Sequence, residues 1–246
     1  MGGLEIRFLG SGDAFGSGGR FQTCIFVRSA AGRFLIDCGA SSLIAMRRFG
    51  VDPLQIDAVL LSHLHGDHFG GLPFLILDAQ FRRRIRPLLV AGPPGVEARV
   101  RDAMEVLFPG SSRVERKFAT AFVELSDRAE VALGPCAVTP FSVVHPSGAP
   151  PFALRVACDG KVIAYSGDTE WTEALIEAAH LADVFICEAY HFDKPIKYHL
   201  NYRTLMEHRQ KLQCRRLILT HMSEEMLGRL QGLDAEWAED GKAVVI

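Results

Sequence analysis

The chain has 246 residues, 48% hydrophobic and 23% charged, a balance that suits a globular enzyme and excludes a disordered or fibrous protein. Lys and Arg total 27 against 29 Asp and Glu, a net charge of -2, so no global field draws the chain to nucleic acid. The longest uncharged stretch, residues 133–154, contains Pro135, Pro140, Pro146, Pro150 and Pro151, which excludes a membrane-spanning helix.

In chain order, residues 4–9 alternate as a strand, 10–19 form a glycine-rich turn, and 23–27 with 33–36 read as a hairpin. A helix is expected over 41–49, strands over 58–61 and 88–91, and a helix over 95–108. The second half repeats this grammar. Strands are expected over 118–125, 131–133, 137–144, 153–158 and 161–166, then a helix over 173–179, a strand over 184–188, a helix over 202–212 and a strand over 216–220. A terminal helix and a short strand close the chain. Strands then helices, twice over and without a linker, predict an α/β fold: a four-layer αββα sandwich of two packed sheets with outer helices, in one domain over 1–246.

The N-terminal stretch lacks a basic head with an apolar signal core, so the expected compartment is the cytoplasm. Cys24, Cys38, Cys136, Cys158, Cys187 and Cys214 are far apart, with no CxxC pair, and read as reduced core residues.

The strongest chemical signal follows the buried strand over 58–61: Ser62-His63-Leu64-His65-Gly66-Asp67-His68-Phe69-Gly70-Gly71. In extended chain His63 and His65 point to one side, and a turn at Gly66 carries Asp67 and His68 to a second position. Burying these groups together without an ion would strand polar atoms at a cost of roughly 1–3 kcal/mol each. The donors suit zinc, with manganese or iron as alternatives, and two ions together generate a bridging hydroxide at neutral pH. Three further candidates stand at strand ends: His145, Asp168 and His221.

The HxHxDH motif from His63 to His68, with the later His, Asp and His in order, resembles the metallo-β-lactamase superfamily. The resemblance implies that one ion takes His63, His65 and His145, the other takes Asp67, His68 and His221, and Asp168 bridges them. Within the superfamily the chain resembles ribonuclease Z and its phosphodiesterase relatives, through Leu9-Gly10-Ser11-Gly12, Phe69-Gly70-Gly71-Leu72-Pro73, Ala91-Gly92-Pro93-Pro94-Gly95 and Leu219-Thr220-His221-Met222-Ser223. That likeness implies that Glu188 orients His199, and that His199 stabilises charge or protonates the leaving oxygen while Asp67 also orients the hydroxide. It also admits a homodimer.

Two features depart from ribonuclease Z. Glu188 and His199 sit in Cys187-Glu188-Ala189-Tyr190 and His199-Leu200-Asn201 rather than the usual flanking residues. Asp168 lies only 23 positions after His145, too few for the tRNA-gripping arm.

The expected function is therefore a dinuclear metal-dependent hydrolase of a phosphodiester: a small or cyclic one, or an RNA 3′ end, with small substrates preferred to tRNA. The alternatives are a hydrolase of a carboxylic ester, thioester or lactone, and a non-hydrolytic metal-retaining carrier. A glyoxalase II is disfavoured by the short sequence after His221, and a secreted β-lactamase by Asp168 and the missing signal.

Weaker signals have plainer readings. The 10–19 turn lacks the spacing of a nucleotide loop and reads as a tight turn lining the site. Asp37 reads as a hydrogen-bonding support for a ligand. Arg82, Arg83, Arg84 and Arg86 read first as a solvated helix end, and second as a contact for a phosphorylated substrate or nucleic acid backbone. His180, His191 and His208 read as surface or packing residues, and Trp171 and Trp237 as packing anchors.

Overall fold

The structure, a computed structural model, describes residues 3–246. The first half runs β1 (Glu5–Gly10), β2 (Cys24–Arg28), β3 (Arg33–Ile36), α1 (Ser42–Arg48), β4 (Ala58–Leu60), α2 (Gly66–Phe69), α3 (Leu72–Phe81), β5 (Leu88–Gly92), α4 (Val96–Leu107) and β6 (Thr120–Glu124). The second runs β7 (Val131–Leu133), β8 (Cys136–Ser142), β9 (Phe152–Cys158), β10 (Lys161–Tyr165), α5 (Ala174–Ala179), β11 (Val184–Glu188), α6 (Tyr202–Glu207), β12 (Leu217–Thr220), α7 (Glu224–Leu227), β13 (Glu236–Trp237) and β14 (Ala243–Val245).

Two seven-stranded sheets result, in the orders β14-β1-β2-β3-β4-β5-β6 and β13-β12-β11-β10-β9-β8-β7. In each, antiparallel hairpins lead into parallel strands: β3, β4, β5 and β6 in the first, β10 to β13 in the second. The last strand returns to the first sheet, where Glu5 pairs with Val245.

Three apolar clusters show the four layers. Ile6, Phe34, Ile36 and Leu60 of the first sheet pack against Val138, Leu154, Ile163 and Ile186 of the second. The other face of the first sheet is covered by helical residues including Met46, Leu75, Ile76 and Val100, and that of the second by Leu175, Leu205 and Met226. The predicted sandwich is therefore the observed one. Parallel strands buried on both faces read as unbroken apolar runs, as in Val184-Phe185-Ile186-Cys187.

Differences lie mainly in the helices. No helix was expected over 72–81, because α3 is apolar all round and offers no periodic face; Leu72, Leu75, Ile76 and Ala79 are buried, and Pro73 occupies the first turn, where a missing N–H costs little. The helix expected over 202–212 ends as α6 at Glu207, and a tighter turn, Arg209–Leu212, follows. The terminal helix is a single turn, capped by Ser223, and two strands follow it instead of one. Among the described residues, no helix is long and apolar enough to cross a membrane, and all six cysteines are buried and free.

Candidate metal centre

The site lies at the strand ends where the two sheets meet, as expected of loops carried by a parallel scaffold. Ser62 and His63 follow β4, Asp37 follows β3 and Asp168 follows β10. Glu188 ends β11, His221 follows β12, and His145 lies just beyond the hairpin strand β8. His65 is still extended, and the chain then turns into α2, bringing Asp67 and His68 inward. That turn is right-handed, so Gly66 is not needed for an unusual backbone angle as the sequence suggested; a Cβ there would meet nothing within 4 Å. The tight fit is at Gly39 instead, where a Cβ would lie 2.2 Å from the Asp67 carbonyl oxygen. Only a bare backbone lets the β3 loop approach α2 this closely.

Two groups of potential ligand atoms form, each with its members within 4.8 Å of one another: His63, His65 and His145; and Asp67, His68, Asp168 and His221. His145 Nε2 is 3.1 Å from His65 Nδ1. His221 Nε2 is 3.2 Å from Asp67 Oδ2, and His68 Nε2 is 3.2 Å from the same oxygen. Asp168 reaches both groups: 3.8 Å to His63 and 3.9 Å to His145, 3.4 Å to His68 and 3.4 Å to His221.

The ring supports define which nitrogens face inward. Asp37 accepts from the Ser62 N–H at 2.8 Å, the Ser62 hydroxyl at 2.8 Å and His68 Nδ1 at 2.7 Å. With its proton given to Asp37, the Ser62 oxygen accepts from His63 Nδ1 at 3.0 Å. His63 and His68 therefore both turn Nε2 into the site. Buried and without hydrogen-bond partners, and turned toward the two ligand groups, are His63 Nε2, His68 Nε2 and Asp168 Oδ1. A cluster of orphaned imidazole and carboxylate atoms fits a divalent cation, which would satisfy them together.

The electrostatics agree. Burial alone would raise Asp67 and Asp168, yet the neighbouring imidazoles of His68 and His221 hold both carboxyls well below the usual range. Burial would lower His221, but Asp168 and Asp67 push it up to about 9. His68 is raised by Asp168, Asp67 and Asp37 against its burial, whereas burial and the charge of His68 drive His63 down. The carboxylates thus create a demand for positive charge.

Beside the groups, Glu188 Oε2 accepts from His199 Nδ1 at 2.9 Å, and its other oxygen accepts from the Thr169 N–H. Burial and the charge of Asp168 raise the fully buried Glu188, and its hydrogen bond to His199 raises the imidazole against desolvation. The excursion from β11 to α6 returns on itself through the Tyr190 N–H bond to Leu200 O at 2.8 Å, which brings His199 back to Glu188. The unexpected flanking residues serve the fold: Leu200 is buried, and the Asn201 side chain caps α6 by accepting from the Thr204 N–H at 2.9 Å.

All nine sequence candidates thus converge, and six of them, with Phe15 and Tyr190, bound parts of one cavity of about 220 Å³. Sequence reading missed both aromatics as site residues. The arginine run does not join them. Arg84 is buried and donates to the carbonyls of Arg86, Leu54, Ile56 and Pro87, while Arg82 pairs with Asp52 and Arg86 with Asp57. Arg84 thus departs from the solvated helix end expected first and serves the fold, while Arg82 and Arg86 stay exposed in ion pairs. His208 stacks on Trp171, with ring centroids 4.0 Å apart, a packing pair as expected.

Comparison with known proteins places this geometry. The chain is 39% identical over 93 residues to ribonuclease Z of Methanothermobacter thermautotrophicus, a match covering 38% of this chain and 30% of that protein. The chain thus spans less than half of that relative in the match. A longer alignment, 26% identical, joins 98% of this chain to 94% of ribonuclease Z of Bacillus licheniformis. Human tRNase Z, short form (ELAC1), superposes with a TM-score of 0.81 at 24% identity, over 98% of this chain and 99% of that one. The fold is thus the ribonuclease Z-like form of the metallo-β-lactamase sandwich. The family described as Anti-Pycsar protein Apyc1 matches residues 4–236, nearly the whole length that carries both ligand groups and the Glu188–His199 pair, and the chain belongs to that family.

Proposed function

We propose that the protein is a metal-dependent phosphodiesterase for small or cyclic phosphodiesters, and that His63, His65 and His145 hold one ion, Asp67, His68 and His221 a second, with Asp168 between them. The observation carrying this reading is the position of Asp168, within 4 Å of members of both ligand groups, with His199, backed by the buried Glu188, opening on the same cavity. Zinc suits the imidazole-rich donor set, with manganese or iron as the alternatives. Bound there, two ions would supply a hydroxide nucleophile at neutral pH and neutralise charge on the phosphoryl oxygens.

The chain's own groups do the rest. Asp67 holds its ligand group together through His68 and His221. Glu188 accepts the hydrogen bond of the His199 Nδ1–H, which leaves Nε2 to donate to the leaving oxygen or to the charged phosphoryl group. The hydrogen bond to Glu188 raises that imidazole against its desolvation, which favours the proton-bearing form needed for this task.

Small substrates are favoured by what surrounds the site. The interval between His145 and Asp168 is filled by the core strands β9 and β10, which leave no gripping arm there, and Arg82, Arg84 and Arg86 are engaged within the fold. Binding a tRNA body draws on many free backbone contacts. The free, buried cysteines suit a reducing compartment such as the cytoplasm.

The test is turnover by zinc-loaded protein on an aryl phosphodiester, a cyclic nucleotide, a thioester, a lactone, a cephalosporin and a 3′-extended precursor tRNA at one salt concentration. The small diester or cyclic nucleotide is expected to give the highest kcat/KM. Faster, accurate cleavage of the precursor overturns the small-substrate reading, turnover of acyl compounds alone overturns phosphodiester chemistry, and inactivity with metal bound favours a carrier.

A further inference from the structure

After α4 the turn Ser111–Arg113 folds the chain back along the helix before β6 begins. The Ser111 hydroxyl holds it there by donating to Met104 O at 3.2 Å, and Arg101 Nη1 by donating to Ser112 O at 3.1 Å. Beneath the turn, between α4 and the start of β6, lies a cavity of about 160 Å³. Its walls include the buried side chains of Val100, Met104 and Phe118, with Ser112 and Thr120 as hydroxyl-bearing residues. It shares no lining residue with the cavity at the metal centre.

Two arginines complete the lining, Arg101 and Arg116, and their partners differ. Arg101 pairs with Glu97, one turn earlier on α4, at 2.8 Å. The half-buried Arg116 hydrogen-bonds to backbone alone: Nη1 donates to Val114 O at 3.2 Å, and Nη2 donates to Ser111 O. Its Nε–H is buried and has no acceptor. Among the described residues, no carboxylate oxygen lies within 4 Å of this guanidinium; the nearby acidic groups are taken, Glu97 by Arg101 and Glu105 by Arg113 and Ser112. Burial, and after it the like charge of Arg101, lower Arg116 below its ordinary value. A cation withdrawn from water beside a second cation, with one N–H left over, calls for negative charge.

We propose that this cavity binds one small tetrahedral oxyanion, free phosphate or sulfate, which accepts from the Arg116 Nε–H and from the Arg101 guanidinium. The fixed forks of two guanidiniums match the oxygens of such an ion, and hydrogen bonds between charged partners are about twice as strong as neutral ones. Apolar walls weaken the screening of that attraction. Size sets the class of ligand, since pockets for drug-sized molecules begin at about 300 Å³. The cavity suits an ion, not a nucleotide. Both side chains are already pinned by backbone carbonyls, so binding costs little of their rotamer freedom.

The experiment titrates inorganic phosphate, and separately sulfate, into zinc-loaded protein freed of excess metal, by calorimetry at constant ionic strength. The chains compared are wild type, Arg116→Met, Arg101→Met and, as a control in an exposed ion pair elsewhere, Arg82→Met. Anion held at the metal centre is common to all four, so a difference between them reports the arginine cavity. Wild type and Arg82→Met are expected to bind one more anion per chain than Arg116→Met, and Arg101→Met to bind it about tenfold or more weakly. Phosphate should also raise the Tm of wild type more than that of Arg116→Met. Metal content and Tm without anion check folding, and if Arg116→Met does not fold, the exposed Arg101 decides. Adenosine 5′-monophosphate, too large for the cavity, should bind wild type and Arg116→Met alike. Isotherms for phosphate that are the same in wild type, Arg116→Met and Arg101→Met overturn the proposal. So does an equal Tm rise with chloride, which would be screening alone, and so does a loss of adenosine 5′-monophosphate binding in Arg116→Met.

Discussion

The His145 ring donates its Nδ1 proton to the carbonyl oxygen of Tyr198, 3.0 Å away. A carbonyl only accepts, so this bond fixes the tautomer and leaves the Nε2 lone pair of His145 facing His65 and Asp168. Tyr198 precedes His199 and has a left-handed backbone at φ 71°. One hydrogen bond therefore couples a candidate ligand of the first group to the position of the proposed proton donor.

His199 and Asp67 should accordingly fail in different ways. His199→Ala is expected to keep its metal and lose about 100-fold or more in kcat, because its contact belongs to the transition state. Asp67→Ala should lose metal together with turnover. Elemental analysis beside steady-state kinetics checks both, and loss of metal from His199→Ala would make that residue a ligand.

Metal content itself is the second expectation. Seven donors exceed the needs of one tetrahedral zinc, so purified protein should carry about two ions per chain. Stripping them with a chelator should lower Tm by about 10 °C, since a ligand at a thousand times its Kd stabilises by about 4 kcal/mol. An unchanged Tm would mean that the buried imidazoles and carboxylates satisfy one another.

Asp37 supports the second group from behind, holding both Ser62 and His68. Asp37→Ala should weaken zinc binding about 10- to 100-fold, measured by competition with a chromophoric chelator. Unchanged affinity would show that His68 needs no partner to keep its orientation.

Arg84 gives a prediction about stability alone. Its buried guanidinium donates to four backbone carbonyls, so Arg84→Ala should cost about 3 kcal/mol or more, seen in chemical denaturation. Arg82→Ala, which removes exposed ion pairs, should cost under about 1 kcal/mol. Equal effects would contradict the division between them.

The contiguous His63–His68 stretch was legible because its spacing sets its own geometry, and the later candidates because they stand where apolar runs stop. The Glu188–His199 pairing came only through likeness to a family: eleven residues separate the two, and the fold, not local pattern, returns one to the other. Phe15 and Tyr190 carried no signal, since an aromatic in a loop reads the same whether it faces a cavity or the solvent. The arginine run misled for a similar reason. Four neighbouring cations look alike in sequence, but the segment preceding β4 receives Arg84 on its carbonyls and supplies the carboxylates of Asp52 and Asp57 to Arg82 and Arg86. Helix α3 escaped because periodicity reveals only helices with a polar side.

The return of β14 to the first sheet bears on how the protein behaves in crowded solution. It covers the open hydrogen-bonding edge of β1 with a strand of only 3 residues, and the remaining outer strands, β6, β7 and β13, have 5, 3 and 2. Edges this short offer another chain few N–H and C=O groups to pair with. A fold built from two large sheets thus presents little template for strand-to-strand aggregation, although its strands are among the most apolar segments of the sequence.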